Sequence, residues 1–262
     1  MGGIFIIDLE CYDIRMIERI QNVGYVVHGK TIGETWLNLV ETVLKNGVFE
    51  LDENRGRFAV PNVRFSSETT IVNDPLIKDF GDWDKINAMK RVVFELDEMV
   101  DFDITPSFRS GAKSYKKRLA EGKMIDFVVK RLAKIPESKK AVMVFPTYED
   151  YQEVIGSPRN DYLPCIVALQ FRVAKDRRNN LKLNLTLFMR SWDGFQKGAG
   201  DLTVICMLAD IVRKKLEEKL DKKIDPGRLD GLVTDIHIYE NTYENAQDVL
   251  LRYFDKVDKE LV

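Results

Sequence analysis

Cys165 and Arg190 are the residues whose types and spacing point most directly to chemistry. Cys165 opens the apolar run CIVALQFRVA, and the polar loop KDRRNN follows. The next run alternates, with Leu183, Leu185, Leu187 and Met189 on one face and Asn184, Thr186 and Phe188 on the other. It ends on Arg190, Ser191, Trp192 and Asp193. This pattern predicts a β-hairpin. Folding back brings Cys165 and Arg190 to the same edge of the sheet. A thiol beside a fixed cation gives up its proton more readily and becomes a nucleophile.

A second stretch that could do chemistry is Asp235 to Asn241, where His237 and Tyr239 alternate on one strand and so face the same side. Helices must hold these strands in place. Residues 31–47 read as one amphipathic helix, with Thr31 as N-cap and Glu34 completing a capping box. Residues 80–99 read as a helix begun by Asp82, and 111–134 as another. A buried strand is expected at 141–145, a mobile loop at 149–162, and a long helix at 202–220 directly after Asp201. PGRLD reads as a turn into the last strand, LVTDIHIYE, and the tail as a helix. The preface, residues 1–29, reads as β-rich with a short helical stretch near IRMIERI, and ENRGRF at 53–58 as a polar turn. Helices mixed with mainly antiparallel strands give the α+β class.

Composition narrows the function. The chain has 262 residues, 45% hydrophobic and 31% charged, as expected of an ordinary globular protein. A net charge of -2 gives no reason to expect nucleic acid or a membrane surface as partner. Three cysteines, Cys11, Cys165 and Cys206, make neither a disulfide framework nor a zinc site and suit a reducing compartment, so a cytoplasmic location is expected. Two histidines, His28 and His237, argue against a histidine-rich metal centre, and no metal is expected. No apolar run is long enough to span a membrane, and the first residues lack the flank of a signal peptide.

The ordered motifs carry a resemblance. Pro164-Cys165, Gln170-Phe171, Arg190-Ser191-x-Asp193 and Asp235-x-His237-x-Tyr239-x-Asn241 resemble, in this order, motifs of the thymidylate synthase superfamily, which also contains the pyrimidine nucleotide hydroxymethylases. Pro136-x-Ser138-Lys139-Lys140 is similar to the family's P-x-S-R-R, Tyr115 to the tyrosine of its Y-G pair, and Glu53-Asn54-Arg55-Gly56 to its early D-R-T-G phosphate loop. The departures are Ile166 for a histidine, lysines for both arginines, KGAG at 197–200 for Gly-x-Pro-Phe, and Thr242 for a second histidine.

The resemblance implies a thymidylate synthase-like fold over residues 31–262, with residues 1–30 as an N-terminal extension. It implies a homodimer with sheets packed back to back, and 5,10-methylenetetrahydrofolate or a related methylene-pterin as one-carbon carrier. Cys165 would add to C6 of a pyrimidine nucleotide monophosphate, which makes C5 nucleophilic. Arg190 would hold the 5′-phosphate bidentately, with Ser191, Asp193 and Arg55 around the nucleotide. Lys139 and Lys140 would reach phosphate across the dimer interface. His237 and Tyr239 would touch the sugar. Trp83 is the indole available to stack on the folate, and Glu95 and Glu98 are the carboxylates available as general base.

Asp201 stands where thymidylate synthases have asparagine and cytidylate hydroxymethylases have aspartate. An ionised carboxylate only accepts, which suits the exocyclic amine of cytosine. Aspartate also suits the N-cap of the helix expected at 202–220. The resemblance thus implies cytidylate 5-hydroxymethylation. The alternatives are thymidylate synthesis from dUMP and a catalytically weak nucleotide-binding paralogue.

Overall fold

The computed structural model describes residues 17–20, 24–52, 55–102, 111–156 and 162–260. The chain order is β1 (Ile17–Ile20), β2 (Gly24–Gly29), α1 (Ile32–Asn46), β3 (Val48–Asp52), β4 (Arg55–Ser67), α2 (Pro75–Phe80) and α3 (Trp83–Phe94). Next come α4 (Tyr115–Glu121), α5 (Met124–Lys134), β5 (Val142–Val144), α6 (Tyr148–Gly156), β6 (Ile166–Lys175) and β7 (Leu181–Met189). The last elements are β8 (Trp192–Asp193), α7 (Gly198–Leu220), β9 (Asp225–Tyr239) and α8 (Tyr243–Glu260). The strands form one sheet in the order β1-β2-β4-β9-β7-β6-β5, with β3 on β4 and β8 on β9. Most pairings are antiparallel, while β2–β4, β7–β9 and β8–β9 are parallel. The α+β expectation holds.

Alternation along β7 decides which face is buried. Leu183, Leu185, Leu187 and Met189 are at most 1% exposed. They join Leu169, Phe171 and Val173 of β6 and the apolar side of α7 in the core. Each such side chain contributes about 1.5–3 kcal/mol by leaving water. The hairpin is therefore locked in register, because a one-residue slip would expose the whole row.

Several boundaries differ from expectation. Ile17–Ile20 is a strand paired with β2, not helix, and β2 lies in the main sheet beside β4. Residues 1–16 lie outside the described residues. Arg55 to Phe58 begin β4 and are not a turn, while Glu53 and Asn54 fall outside the described residues. The expected helix 111–134 is two helices, broken where Lys123 takes a left-handed φ of 46°. The expected loop 149–162 starts as helix α6, whose exposed Tyr148, Tyr151 and Ile155 hide its periodicity. Residues 157–161 lie outside the described residues.

β9 runs for 15 residues and absorbs the expected PGRLD turn. Gly231 explains part of this. A Cβ there would strike the Phe65 ring, so the glycine lets β4 and β9 pack that ring between them.

Candidate active site

Strand ends build the site. Ile166 pairs with Met189, and one step further the N–H of Arg190 donates to the Cys165 carbonyl over 3.0 Å. The Arg190 guanidinium also folds back, donating from Nε to Pro164 O over 3.2 Å and from NH2 to Leu163 O over 2.6 Å. Cys165 and Arg190 thus lie side by side at one edge of the sheet. β8 pairs with β9 through Trp192↔Ile236 and Asp193↔His237, which brings the hairpin end beside the second motif.

These residues surround one cavity of about 220 Å³. Cys165, Arg190, Ser191, Asp193, Asp201, His237, Tyr239 and Arg55 all line it. Arg55 lies 4.5 Å over the Tyr239 ring and 3.5 Å from Asp52. Tyr115 lines it too, and its hydroxyl oxygen accepts from the Ile166 N–H at 3.2 Å. Burial pushes the Tyr115 phenol up, and the charges of Cys165 and Asp201 add to that.

His237 is oriented from behind. Its Nδ1 lies 2.8 Å from Asp235 Oδ1 and 3.1 Å from Arg57 NH1. An arginine N–H cannot donate to a nitrogen that is itself donating, and the carboxylate is nearer. We therefore assign Nδ1–H to Asp235, which leaves Nε2 as the other ring nitrogen for a ligand. Arg57 clamps Asp235 with two bonds of 2.9 Å. Burial pushes the Asp235 carboxyl up, but the His237 and Arg57 bonds and charges outweigh it and hold the group below its ordinary range.

Asp201 is not an N-cap. α7 begins at Gly198, and Asp201 sits in its first turn with its N–H bonded to Lys197 O over 2.8 Å. Its Oδ2 accepts from the Trp192 indole at 2.9 Å. Asp193 is committed to the turn before α7, accepting from Phe195 N, Gln196 N and Gln196 Nε2 over 2.8–3.1 Å.

Other expected residues lie elsewhere. Lys139 and Lys140 are exposed beside β5, outside this cavity. Trp83 is 42% exposed, donates to Lys78 O over 3.2 Å and does not line the cavity. Glu95 and Glu98 are exposed and do not line it either. The α3 residue that does is Met89.

Sequence reasoning missed Asp52, Met89, Met99, Val100, Phe102, Tyr162, Leu163, Trp192 and Lys197 in the lining. A signal existed for Lys197, inside the KGAG departure. None existed for Met99 to Phe102, which follow α3 without a motif.

A family model described as Thymidylate synthase matches residues 65–259. A protein named Thymidylate synthase from Lactococcus lactis subsp. lactis (strain IL1403) is 28% identical over 150 residues, covering 57% of this chain and 48% of that protein. Its namesake from Lactococcus lactis subsp. cremoris (strain SK11) is 27% identical over 160 residues, covering 61% of this chain and 52% of that protein. The chain spans about half the length of the curated relatives it matches.

Proposed function

The chain belongs to the thymidylate synthase family, and from that premise we propose that it transfers a one-carbon unit to C5 of a pyrimidine nucleotide monophosphate, with a cytidylate as substrate and its 5-hydroxymethyl derivative as product. The observation that carries this reading is the convergence of Cys165, Arg190, Asp201, His237 and Tyr239 on one cavity. The Cys165 thiolate would form a bond to C6, and the C5=C6 electron pair would move to C5. C5 would then bond the one-carbon unit and lose its proton, that carbon would part from its carrier and take up water as its hydroxyl, and loss of the sulfur from C6 would restore the ring. Arg190 would favour the thiolate and bind phosphate, with Arg55 and Ser191 beside it.

The residues fit a pterin carrier. Met89, Met99, Val100 and Phe102 give the cavity apolar surface for a flat ring. The carrier, 5,10-methylenetetrahydrofolate or a related methylene-pterin, would supply a one-carbon unit at the oxidation level of formaldehyde. With Trp83 outside the cavity, Phe102 is the better aromatic partner for that ring.

We also propose a homodimer. Val26, Arg64, Leu232, Phe188, Ala168 and Val144 stand in one register row across the sheet, all at least partly exposed. Apolar residues in such a row suit a sheet-to-sheet interface. Lys139 and Lys140, at that sheet's edge, would then serve the partner's phosphate site. Among the described residues no helix is long and apolar enough to cross a membrane. A reducing cytoplasm would keep Cys165 a thiol.

Two observations favour other readings. The relatives are named thymidylate synthases, which favours dUMP. Met89, with no α3 carboxylate lining the cavity, favours a weak nucleotide-binding paralogue. Tritium release from C5-labelled dCMP, CMP and dUMP with methylenetetrahydrofolate separates them. Release from a cytidylate that vanishes in Cys165→Ala is the expected result. Release from dUMP alone points to thymidylate synthesis, and release from none to the paralogue.

A further inference from the structure

We propose that Asp52 is a specificity-determining residue: beside His237 it gives the cavity a second hydrogen-bond acceptor for the 2′,3′ edge of a sugar, so the nucleotide taken is a ribonucleotide. This rests on the reading of the cavity as a nucleotide monophosphate site.

The base leaves a nucleotide's sugar at C1′ and the phosphate at C5′. With Cys165 at the base and Arg190 at the phosphate, the sugar edge still to be met is the one that carries positions 2′ and 3′. Three adjacent strands supply polar lining for it: Asp52 ends β3, Arg55 begins β4, and His237 and Tyr239 end β9. Asp52 pairs with Arg55 across β3–β4, and Arg57 with Tyr239 across β4–β9, so these residues share one corner of the sheet.

That corner presents acceptors. With Nδ1–H given to Asp235, Nε2 of His237 accepts. The Tyr239 hydroxyl donates its one proton to Asp52 Oδ2 over 3.3 Å. Arg55 NH2 lies 3.5 Å and Arg57 NH1 4.0 Å from the same oxygen. Every hydrogen bond and ion pair that Asp52 makes with the described residues thus falls on Oδ2, and Oδ1 is left to a ligand. Tyr239 joins the two acceptors, its ring 4.9 Å from that of His237 and its hydroxyl on Asp52. Arg57 serves both: it clamps Asp235, which orients His237, and it faces Asp52.

Two acceptors call for two donors. A ribose has two hydroxyls on this edge, and each gives one proton. A 2′-deoxyribose has one, and its 2′ methylene displaces water from the carboxylate without replacing the hydrogen bond. The base does not enter this argument, which holds for cytosine and uracil alike.

The test is equilibrium binding of CMP, dCMP, UMP and dUMP to the wild type and to Asp52→Ala. A further probe, 2′-deoxy-2′-fluoro-CMP, fills the 2′ position but cannot donate. The wild type should bind the ribonucleotide of each pair about 10- to 100-fold tighter, the range of one hydrogen bond to a charged acceptor. The fluoro analogue should bind as weakly as dCMP. Asp52→Ala should bring the ribo-to-deoxy ratio close to one, mainly by weakening the ribonucleotides. A merely structural Asp52 would weaken both members of a pair alike and keep the ratio, which overturns the proposal. If Asp52→Ala does not fold, the wild type decides: a fluoro analogue that binds like CMP overturns it. Deoxynucleotides that bind as well as ribonucleotides overturn the ribose reading and leave the pyrimidine site standing. Binding of none of the four overturns both.

Discussion

The main-chain N–H of Arg190 donates to the carbonyl of Cys165 over 3.0 Å. The two side chains that would carry the chemistry are thus anchored by one ladder bond between neighbouring strands. Their separation is set by backbone, which moves less than side chains do.

Cys165 should react with thiol reagents faster than Cys206. Cys206 is 0% exposed, and burial pushes its thiol up to about 12, with the charge of Asp74 adding to it. Cys165 is partly exposed and lines the cavity with Arg190. Mass spectrometry after timed alkylation checks the order. Bound dCMP should slow Cys165 alone.

Asp235→Asn should weaken nucleotide binding through His237 and should change the pH dependence of stability. The native Asp235 carboxyl lies below its ordinary range, so it contributes stability above the unfolded value, about 4. That contribution is lost as pH falls through the lower folded value. Urea unfolding at several pH values should show the wild type and the variant furthest apart near neutrality and converging in acid.

Arg118→Met should be strongly destabilising. Arg118 and Asp150 form a buried pair, 2% and 5% exposed, with NH1 and NH2 donating over 2.6 and 2.7 Å. Removing the cation strands the carboxylate, at a cost of about 3–5 kcal/mol. The double variant with Asp150→Leu should recover much of the loss in chemical denaturation.

Gly231→Ala and Gly200→Ala should differ in sign. At Gly231 a Cβ meets the Phe65 ring, and overpacking costs about 1–3 kcal/mol. At Gly200, inside α7, the nearest atom is Met89 Cβ at 3.5 Å, an ordinary contact. Alanine there should be neutral or should gain up to about 1 kcal/mol from helix propensity. Thermal melts of both variants decide it.

What was legible in the sequence was periodic or capped. The β7 alternation and the Thr31 cap placed their elements within a residue or two, and the Asp82 cap placed the start of α3, which ends at Phe94 and not at Met99. Cys165, Arg190 and His237 were legible because strand alternation and motif order fix where they point. Asp201 shows the limit: aspartate at a helix start reads as a cap, but α7 begins earlier, at Gly198, where a Cβ would strike the Trp36 ring. Lys123 in a left-handed turn left no mark, since lysine is ordinary inside helices. Glu95 and Glu98 were drawn toward the site by chemical type alone. Both side chains are exposed and miss the cavity.

The loop of the β6–β7 hairpin lies at the opposite end of these strands from Cys165 and Arg190. A strand of ten residues puts roughly 30 Å between the two ends. Asp176 staples that loop to Arg178 and Asn180, and residues 177–180 are exposed. The turn is therefore a handle remote from the chemistry. A fluorophore, an affinity tag or a surface tether attached there would report on the protein or immobilise it while leaving the cavity open.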